Sequence, residues 1–300
     1  MQKLAVAFDI NDQIDEDEIS LFLDSFYEFG GEISRYPVYI MKPENSRGLS
    51  DNLLKKMDKY DVKLVEYPIT ETQMKFIFKD KVIASAALEE RLDGEVETLA
   101  WLAPDILFIN EPKDLLLSED ITLGYRPVHH KLIGSSYDEP LDEFWKTCYD
   151  VLEIKDEDVF PMYTCMGEKV RPYFNAGSLV IRPEERILRT WKEYFLDNFD
   201  NDIFNKFYQD EVKYVVFVHQ IILSTVIISM LDRKEMYELP ETYNYPLNLL
   251  GDIPETERPD KLSDLVTARY DDFDDFFIKK KLYELIEIDD KYEKWFSEIV

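Results

Sequence analysis

The feature that most constrains the fold is an alternation of short apolar runs with amphipathic segments over the first hundred residues. Leu4–Phe8, Tyr36–Met41, Val62–Tyr67 and Val96–Leu102 have the length and apolar content of strands. Between them, apolar residues recur at helical spacing, as in Lys81–Leu92. Strands that alternate with helices form βαβ units, which require a mostly parallel sheet. The sequence therefore predicts an α/β fold with a mixed, mostly parallel central sheet flanked by helices, and ligands bound beyond the carboxyl ends of the strands.

The second half of the chain is less regular but contains further elements. Ile121–Tyr125 alternates as a half-buried strand does, and Tyr173–Ile181 predicts another strand. Helices are predicted over Asp138–Leu152, from Leu188 to Phe199 and around Val215–Leu231. Beyond about residue 270 the composition predicts an acidic helical tail. We find no repeat, low-complexity tract or linker that would divide the chain.

The stretch from Tyr214 to Leu231 is about as long as a membrane span and almost free of charge. Polar side chains interrupt it, and both of its flanks are rich in acidic residues. The interrupting residues are His219, Gln220, Ser224, Thr225 and Ser229. We therefore predict a buried core helix here and no integral membrane segment.

The formal net charge of −28 argues against several classes of partner. Nucleic acids need a basic face, and an anionic membrane surface repels an acidic protein. A small anionic ligand would need a local basic pocket within this repulsive field. The two cysteines, Cys148 and Cys165, are too few for a disulfide framework. Because the first apolar run is too short for a signal peptide, we expect a cytoplasmic protein.

Several common catalytic motifs are absent from the sequence. It contains no G-x-G-x-x-G after the first strand, no Walker loop, no G-x-S-x-G elbow and no H-E-x-x-H. The sequence therefore does not indicate a dinucleotide-binding protein, a P-loop protein, an α/β-hydrolase or a metalloprotease of the usual kind.

Basic residues are scarce, so the places where they gather are informative. Two such places are the stretch Tyr125–Lys131 and an Arg-Pro turn just before the strand at 173. Arginine donates charge-assisted hydrogen bonds to phosphate oxygens, so a diphosphate site is one interpretation. The other is that the abundant carboxylates pair with these cations. The candidates are Arg126, His129, His130, Lys131 and Arg171. The adjacent histidines are weak metal ligands, because consecutive strand residues point to opposite faces.

Four short pieces of sequence occur in a fixed order. They are Phe174-Asn175-Ala176-Gly177, Trp191, His219-Gln220 and Leu239-Pro240-Glu241-Thr242-Tyr243-Asn244. They follow the stretch Glu97–Ile109 and the helix that begins at Lys81. Their order and spacing over roughly residues 80–250 resemble the GT-A glycosyltransferase superfamily, in particular its glycogenin-like retaining branch.

The resemblance implies a Rossmann-like GT-A fold that binds a nucleotide sugar. On this basis residues 1–300 form a single domain. Residues 1–110 would be its nucleotide-binding half, 111–255 its sugar and acceptor half, and 256–300 its acidic helical tail.

The resemblance also implies which residues face the donor. Asp105 matches the second aspartate of the family's Asp-x-Asp motif, which holds a divalent metal against the donor diphosphate. Lys81 matches a basic position near the donor, and Asp9 or Asn11 would face the base or the ribose of the nucleotide.

Three further residues are catalytic candidates. Asn175 and Gln220 match polar residues that line the sugar and acceptor pocket, and His219 stands beside Gln220. From the residues alone, a strand-end hydrogen bond is the better explanation of Asn175, and a satisfied buried amide is the better explanation of Gln220.

The chain departs from the family pattern at its metal site. Ala103 replaces the first aspartate of Asp-x-Asp, and His219 replaces the aspartate that precedes Gln220 in the family. The later metal-binding histidine has no counterpart, since the comparable region, Leu265–Tyr270, contains Arg269 instead. Mg²⁺ and Mn²⁺ need several oxygen ligands, so an ion held by Asp105 alone would bind weakly. We expect no certain cofactor.

Two functions remain open at this point. The first is a glycosyltransferase that does not depend on the Asp-x-Asp metal, in which Arg269 and the basic candidates neutralise the leaving diphosphate. The second is a non-catalytic protein of the same fold that binds a nucleotide sugar or a partner. In both cases the expected ligand is a nucleotide sugar, with an unknown acceptor in the first.

Overall fold

The computed structural model describes residues 1–11, 15–70, 78–271, 282 and 286–299. Its strands are β1 (Gln2–Asp9), β2 (Val38–Pro43), β3 (Lys63–Tyr67), β4 (Val96–Leu102), β5 (Ile106–Phe108), β6 (Leu123–Pro127), β7 (Met162–Tyr163), β8 (Lys169–Val170), β9 (Phe174–Ile181), β10 (Met236–Glu238), β11 (Tyr245–Pro246) and β12 (Thr267–Arg269). Its α-helices are α1 (Glu16–Phe29), α2 (Asp51–Tyr60), α3 (Lys79–Leu92), α4 (Glu143–Val151), α5 (Ile187–Asn198), α6 (Asp202–Asp210), α7 (Val212–Met230) and α8 (Asp290–Ile299).

The central sheet has seven strands in the order β10-β6-β9-β4-β1-β2-β3. All pairings are parallel except those of β9, which runs antiparallel to both β4 and β6. The sheet is therefore mixed and mostly parallel, as predicted. Because β9 alone is reversed, its first residues lie at the same edge as the carboxyl ends of β1, β4 and β6.

The alternation of side chains along β1 explains why helices cover both faces of the sheet. Ala5 and Ala7 belong to one apolar core, whereas Leu4, Val6 and Phe8 belong to the other. Successive residues of a strand point to opposite faces, so an unbroken apolar run needs cover on both. Helices α1 and α2 supply it on one face and α3 with α4–α7 on the other.

A buried carboxylate joins α3 to α5. Glu89, which is 0% exposed, accepts the backbone N–H groups of Leu188 and Arg189 and forms an ion pair with the Arg189 side chain at 3.0 Å. The free N–H groups at the start of α5 are satisfied in this way. The contact fixes α3, whose first turn carries Lys81.

A second sheet, of three strands, lies beyond the edge where β4 ends. Its order is β11-β12-β5, and β12 pairs antiparallel with β5 so that Arg269 lies opposite Ile106. Since Asp105 directly precedes Ile106, this register brings Arg269 to it. Sequence periodicity does not indicate β5, β11 or β12, because each has only two or three residues.

Helix α7 is long and apolar enough to cross a membrane, judged by length and composition alone. A buried core helix of a soluble protein passes the same test. Here 56% of the most apolar 18-residue window is buried, and α7 packs on β9, α4, α5 and α6. The structure thus places this segment in the core, as the sequence analysis expects.

One predicted helix begins later in the structure, and one predicted segment is described only in part. The helix expected over Asp138–Leu152 begins only at Glu143, with the Asp142 side chain accepting the Trp145 N–H at 2.8 Å. Pro140 lies in the predicted first turn and disfavours helical conformation in the residue before it. Of the expected acidic tail, much falls outside the described residues. Its end is α8, which packs on the body through the Tyr292 hydroxyl, 2.7 Å from the Ile109 carbonyl oxygen.

Candidate active site

The sheet edge described above gathers several of the residues singled out in the sequence. Asp9 ends β1, Asp105 comes shortly after β4, and Asn175 is the second residue of β9. Ligands of open α/β sheets bind at this edge, outside the carboxyl ends of the strands. Arg269 reaches it from β12, and Lys81 from the first turn of α3. We call Asp9, Lys81, Asp105 and Arg269 the charged cluster.

An ion pair forms the centre of the charged cluster. The Arg269 Nε lies 2.6 Å from the Asp105 Oδ2, and the two side chains are 24% and 8% exposed. Burial alone would lower the pKa of Arg269, but the Asp105 carboxylate outweighs burial and raises the pKa above its ordinary value. Arg269 therefore carries a permanent charge at this site.

The guanidinium lies against small residues of two neighbouring strands. A Cβ added to Gly177 would be 2.9 Å from the Ala103 Cβ and 3.6 Å from the Arg269 Nη1. Ala103 is held to this strand because its N–H donates to the Gly177 carbonyl at 2.8 Å. Glycine at 177 thus leaves space between Ala103 and the guanidinium, which a side chain at position 177 would fill.

The other two members of the charged cluster influence each other across the site. Burial raises the pKa of Asp9 to about 6, and the positive charge of Lys81 opposes this shift. Burial lowers the pKa of Lys81, while Asp9 and Asp105 raise it and Arg269 lowers it. Within the described part of the chain, the buried Asp9 Oδ1 has no hydrogen-bond partner. It is therefore an acceptor that a bound molecule can use.

The residues present do not fit the divalent metal of the family motif. Ala103 supplies no oxygen ligand from its side chain, and the Asp105 carboxylate is committed to Arg269. Among the described residues, no three His, Cys, Asp or Glu side chains stand close enough together to hold a metal ion. A hard cation at Asp105 would also have to approach the Arg269 charge.

Asn175, on β9, and Gln220, on α7, both accept hydrogen bonds from the backbone of β9. The Asn175 Oδ1 accepts the Gly177 N–H at 3.0 Å, and the Gln220 Oε1 accepts the Ala176 N–H at 3.1 Å. Both side-chain carbonyl oxygens thus accept hydrogen bonds from the backbone. This agrees with the explanation of Asn175 as a strand-end hydrogen bond and of Gln220 as a satisfied amide. The amide N–H₂ groups are the parts that can donate to a ligand.

His219 is 4% exposed and packed between two aromatic rings, at 4.6 Å from Phe78 and 6.3 Å from Trp191, centroid to centroid. Its Nδ1–H donates to the Val216 carbonyl at 2.9 Å. Burial lowers the pKa of His219 to about 3, and the nearby Lys81 adds to this effect. The ring is therefore neutral at ordinary pH and bears no charge that could replace the aspartate it substitutes.

His129 forms a wall between the charged cluster and the segment that ends at Asn244. Its Nε2 donates to the Asn244 carbonyl at 2.9 Å. Burial lowers the pKa of His129 to about 3, helped by the charge of Arg269. Asn244 has a φ of 51°, in the left-handed region, and its N–H donates to the Thr267 Oγ1 at 2.8 Å.

Three of the basic candidates have other partners in the structure. Arg126 donates to the Leu239 carbonyl at 2.7 Å and lies 3.5 Å from the Glu238 carboxylate. Lys131 donates from Nζ to the Ser136 Oγ at 2.9 Å. Arg171 donates to the Ser135 Oγ at 2.8 Å, to the Ser136 carbonyl, and to the Glu139 carbonyl at 2.6 Å. These contacts explain Lys131 and Arg171 as residues that hold a loop, and their role in diphosphate binding stays a prediction.

The remaining two candidates lie at the margins of the site. His130 is partly exposed, next to His129. Asn11 follows β1 and lines a small cavity with Ile10, Glu16 and Lys42. Of the residues that contact site side chains, Phe78 has no signal in the sequence, whereas Asn244 ends the Leu-Pro-x-x-Tyr-Asn segment.

Comparisons with known proteins identify the family and the fold. Residues 14–230 match the family described as the Rhodobacterales glycosyltransferase domain. Among solved structures, an active-site mutant of LgtC is similar over 94% of each chain, with 14% identity and a TM-score of 0.52. The galactosyltransferase LgtC in complex with donor and acceptor sugar analogs is similar over 97% of this chain and 99% of its own, with 12% identity and a TM-score of 0.50.

A third similar structure is the glycosyltransferase GlyE of Streptococcus pneumoniae TIGR4, with 15% identity and a TM-score of 0.51. The alignment covers 99% of this chain and 64% of GlyE. Comparison with curated proteins gives no match. At these identities, the structural similarities establish the fold alone.

Proposed function

The chain belongs to the Rhodobacterales glycosyltransferase family and has the GT-A fold, and from this premise we propose that it transfers a sugar from a nucleotide-sugar donor without the Asp-x-Asp metal. In this proposal fixed cations of the chain take over the charge of the metal. The donor base, the sugar and the acceptor are further parts of the proposal, as is the cytoplasmic location expected from the sequence.

The ion pair of Asp105 with Arg269 is the observation that carries this proposal. The carboxylate matched to the metal motif is already paired at 2.6 Å with a guanidinium, and Ala103 replaces its companion ligand. Arg269 thus supplies one positive charge at this position. Lys81 lies close enough for this charge to lower the pKa of Lys81. Guanidinium groups bind phosphate oxygens with paired, charge-assisted hydrogen bonds.

In the transfer, the bond between the sugar C1 and the diphosphate oxygen breaks, and its electron pair stays on the diphosphate. An acceptor hydroxyl oxygen forms the new bond to C1, and its proton passes to the departing diphosphate oxygen. Arg269 and Lys81 stabilise the negative charge that develops on the leaving group, which is the usual role of fixed charges in an active site. In this proposal the amide N–H₂ groups of Asn175 and Gln220 donate to sugar hydroxyl groups.

The nucleoside would bind at the end of β1. The unpartnered, buried Asp9 Oδ1 can accept an N–H or O–H of the base or ribose. Asn11 lies two residues further along the chain, in the position that the family resemblance assigns to the nucleotide. LgtC, which has a similar fold, was crystallised with donor and acceptor sugar analogs, and this supports a shared donor and acceptor site here.

The variant Asp105→Asn distinguishes diphosphate binding by fixed cations of the chain from diphosphate binding by a metal ion. If Arg269 holds the diphosphate, Asn at 105 frees the guanidinium, so affinity for a nucleoside diphosphate should stay the same or rise. If a metal held by Asp105 binds the diphosphate, the same variant should lose affinity. We would titrate uridine and guanosine diphosphates by calorimetry, each with EDTA and with Mn²⁺, against wild type and Asp114→Asn as a carboxylate control that contacts Tyr237 and Tyr243.

Affinity that is unaffected by EDTA and retained in Asp105→Asn would support the proposal. Affinity that requires Mn²⁺ and disappears in Asp105→Asn would refute it. Binding without any sugar transfer or donor hydrolysis would instead favour the non-catalytic alternative. The observation behind that alternative is that Ala103 and His219 replace aspartates of the family pattern.

A further inference from the structure

A cleft of about 450 Å³ opens beside the charged cluster. It is lined by residues of the ends of β6 and β10 and of the segments around 163–167 and 241–257. We call it the glutamate cleft, and its main polar residues are Arg126, Glu238, Glu241, Asn244, Tyr245 and Glu257. None of these residues except Arg126 has a role in the proposed function.

The glutamate cleft shares a wall with the charged cluster. His129 and Pro246 line the cleft. Pro246 pairs with Arg269 in the three-stranded sheet, and the charge of Arg269 contributes to the low pKa of His129. A molecule in the cleft can therefore place one end next to a donor held by Arg269.

One buried polar group of the lining lacks a partner in the protein. The side-chain amide of Asn244 contacts the His129 Nε2 at 3.0 Å and is thus already used. Within the described residues, the Tyr245 hydroxyl has no hydrogen-bond partner, and Tyr245 is 9% exposed. Such groups cost free energy when unsatisfied, and a bound hydroxyl or amine group can satisfy them.

The lining of the cleft contains more carboxylates than cations. Glu238 lies 3.5 Å from Arg126, so these two charges offset each other. Glu241 and Glu257 are exposed and have no hydrogen bond or ion pair from a side chain of the described part. The charge of Arg126 also acts on Glu241, so three carboxylates of the lining share one guanidinium and the mouth of the cleft is net negative. Tyr163, which is 57% exposed, adds an aromatic face to the same lining.

We propose that the glutamate cleft holds the acceptor, and that the acceptor is a carbohydrate with a protonated amino group. This rests on the proposed function. An ammonium group offers three donors to the carboxylates of Glu241 and Glu257 and can lie against an aromatic ring. The hydroxyl groups of the carbohydrate would bond to the Tyr245 hydroxyl deeper in the cleft. The same carboxylates repel uronic acids and phosphorylated sugars.

The test is a binding experiment with three disaccharides that differ in charge. The first is the β-1,4-linked disaccharide of glucosamine, the second its N-acetylated form and the third a disaccharide that contains glucuronic acid. We expect the amine form to bind on the order of tenfold more tightly than the acetylated form at low salt, and the acidic form not to bind. Calorimetry at pH 6.5 with the full chain, with and without a nucleoside diphosphate, measures these affinities.

Variants at the mouth assign the preference to the cleft. Glu241→Gln and Glu257→Gln should each weaken binding of the amine form about two- to fivefold, and the double variant should abolish the preference. Glu184→Gln is the matched control, because Glu184 is exposed and lies far from the cleft. It comes shortly after Ile181, the last residue of β9, which pairs with Leu123 at the end of β6 opposite to the cleft. Equal binding of amine and acetyl forms, or an equal loss in Glu184→Gln, would overturn the inference.

The two proposals can fail separately. Nucleotide binding without an amine preference would overturn only the inference about the cleft. An amine preference without any nucleotide binding would overturn the acceptor role together with the proposed function.

Discussion

Arg269 and Arg171 are both partly buried arginines near the ends of strands, but their guanidinium groups have different partners. Arg269 pairs with the carboxylate of Asp105 at 2.6 Å, among other ionisable groups. Arg171, between β8 and β9, donates to a serine hydroxyl and to the carbonyl oxygens of Ser136 and Glu139. One cation belongs to a charged site and the other fastens a loop.

The difference shows how to separate binding cations from structural ones. A guanidinium bonded to neutral carbonyl oxygens keeps a loop in place and loses those bonds if it turns to a ligand. A guanidinium paired with a carboxylate keeps its charge, and an incoming phosphate can share it or replace the partner. In this chain the proximity of basic residues in sequence is a weaker guide than the identity of their partners.

The largest expected effect separates these two arginines directly. Arg269→Ala should lower the affinity for a nucleoside diphosphate by about a hundredfold or more, which corresponds to about 2.7 kcal/mol. It should also lower the free energy of unfolding by about 3–5 kcal/mol, because Asp105 would remain buried without its partner. Calorimetric titration and urea unfolding measure the two effects.

A double variant checks that the loss of affinity does not come from unfolding. Arg269→Ala with Asp105→Asn should recover most of the stability but none of the diphosphate affinity. If the double variant binds as well as wild type, Arg269 has no part in the donor site, and the contrast with Arg171 disappears.

The second prediction sharpens the comparison through pH. Burial raises the pKa of Asp9 from its ordinary value of 3.8 to about 6. Between these values the folded state keeps a proton that the unfolded chain has released, so stability falls as the pH rises through this window. At 1.36 kcal/mol per unit, the penalty above pH 6 is about 3 kcal/mol.

Asp9→Asn should remove this dependence. Relative to wild type, the variant should show no added stability near pH 3.5 and should gain up to about 3 kcal/mol by pH 7, as measured by urea unfolding. If the variant and wild type differ in free energy of unfolding by the same amount at both pH values, the pKa of Asp9 is not raised. The charged cluster would then carry no more cost of burial than the Arg171 loop.

The smallest effect is expected for the loop arginine. Arg171→Ala should lower the free energy of unfolding by about 2 kcal/mol, since it removes hydrogen bonds from a charged donor to three oxygen atoms. Diphosphate affinity should be unchanged. A loss of affinity comparable to that of Arg269→Ala would show that Arg171 contributes to the donor site, as the sequence alone allows.

The main sheet is largely readable from the sequence because its pattern is local. Each of the first four strands is a run of apolar residues between helical periods, and the structure has strands at all four positions. The boundaries shift by a few residues, as at β6, which extends from Leu123 to Pro127 rather than from Ile121 to Tyr125. Turn chemistry decides such boundaries, and apolar spacing does not record it.

The site is less readable because its central contact is remote in sequence. Asp105 and Arg269 are 164 positions apart, and the strand that joins them, β12, has three residues. The family resemblance indicates Asp105, Asn175 and Gln220, but neither it nor the spacing reveals that Arg269 pairs with Asp105. Likewise, only the packed structure shows that the ring of His219 is neutral between Phe78 and Trp191.

The three-stranded sheet also sets the order in which the site is completed during synthesis. Asp105 leaves the ribosome long before Arg269, and chains grow at about 5–20 residues per second. The last strand of the main sheet, β10, ends at Glu238, so a nascent chain with this sheet complete would bury Asp105 without Arg269 for about 2–6 seconds, until β12 arrives. Translation that stopped before residue 269 would leave a fragment with most of the fold and without its central cation, which a cell could remove before it bound anything.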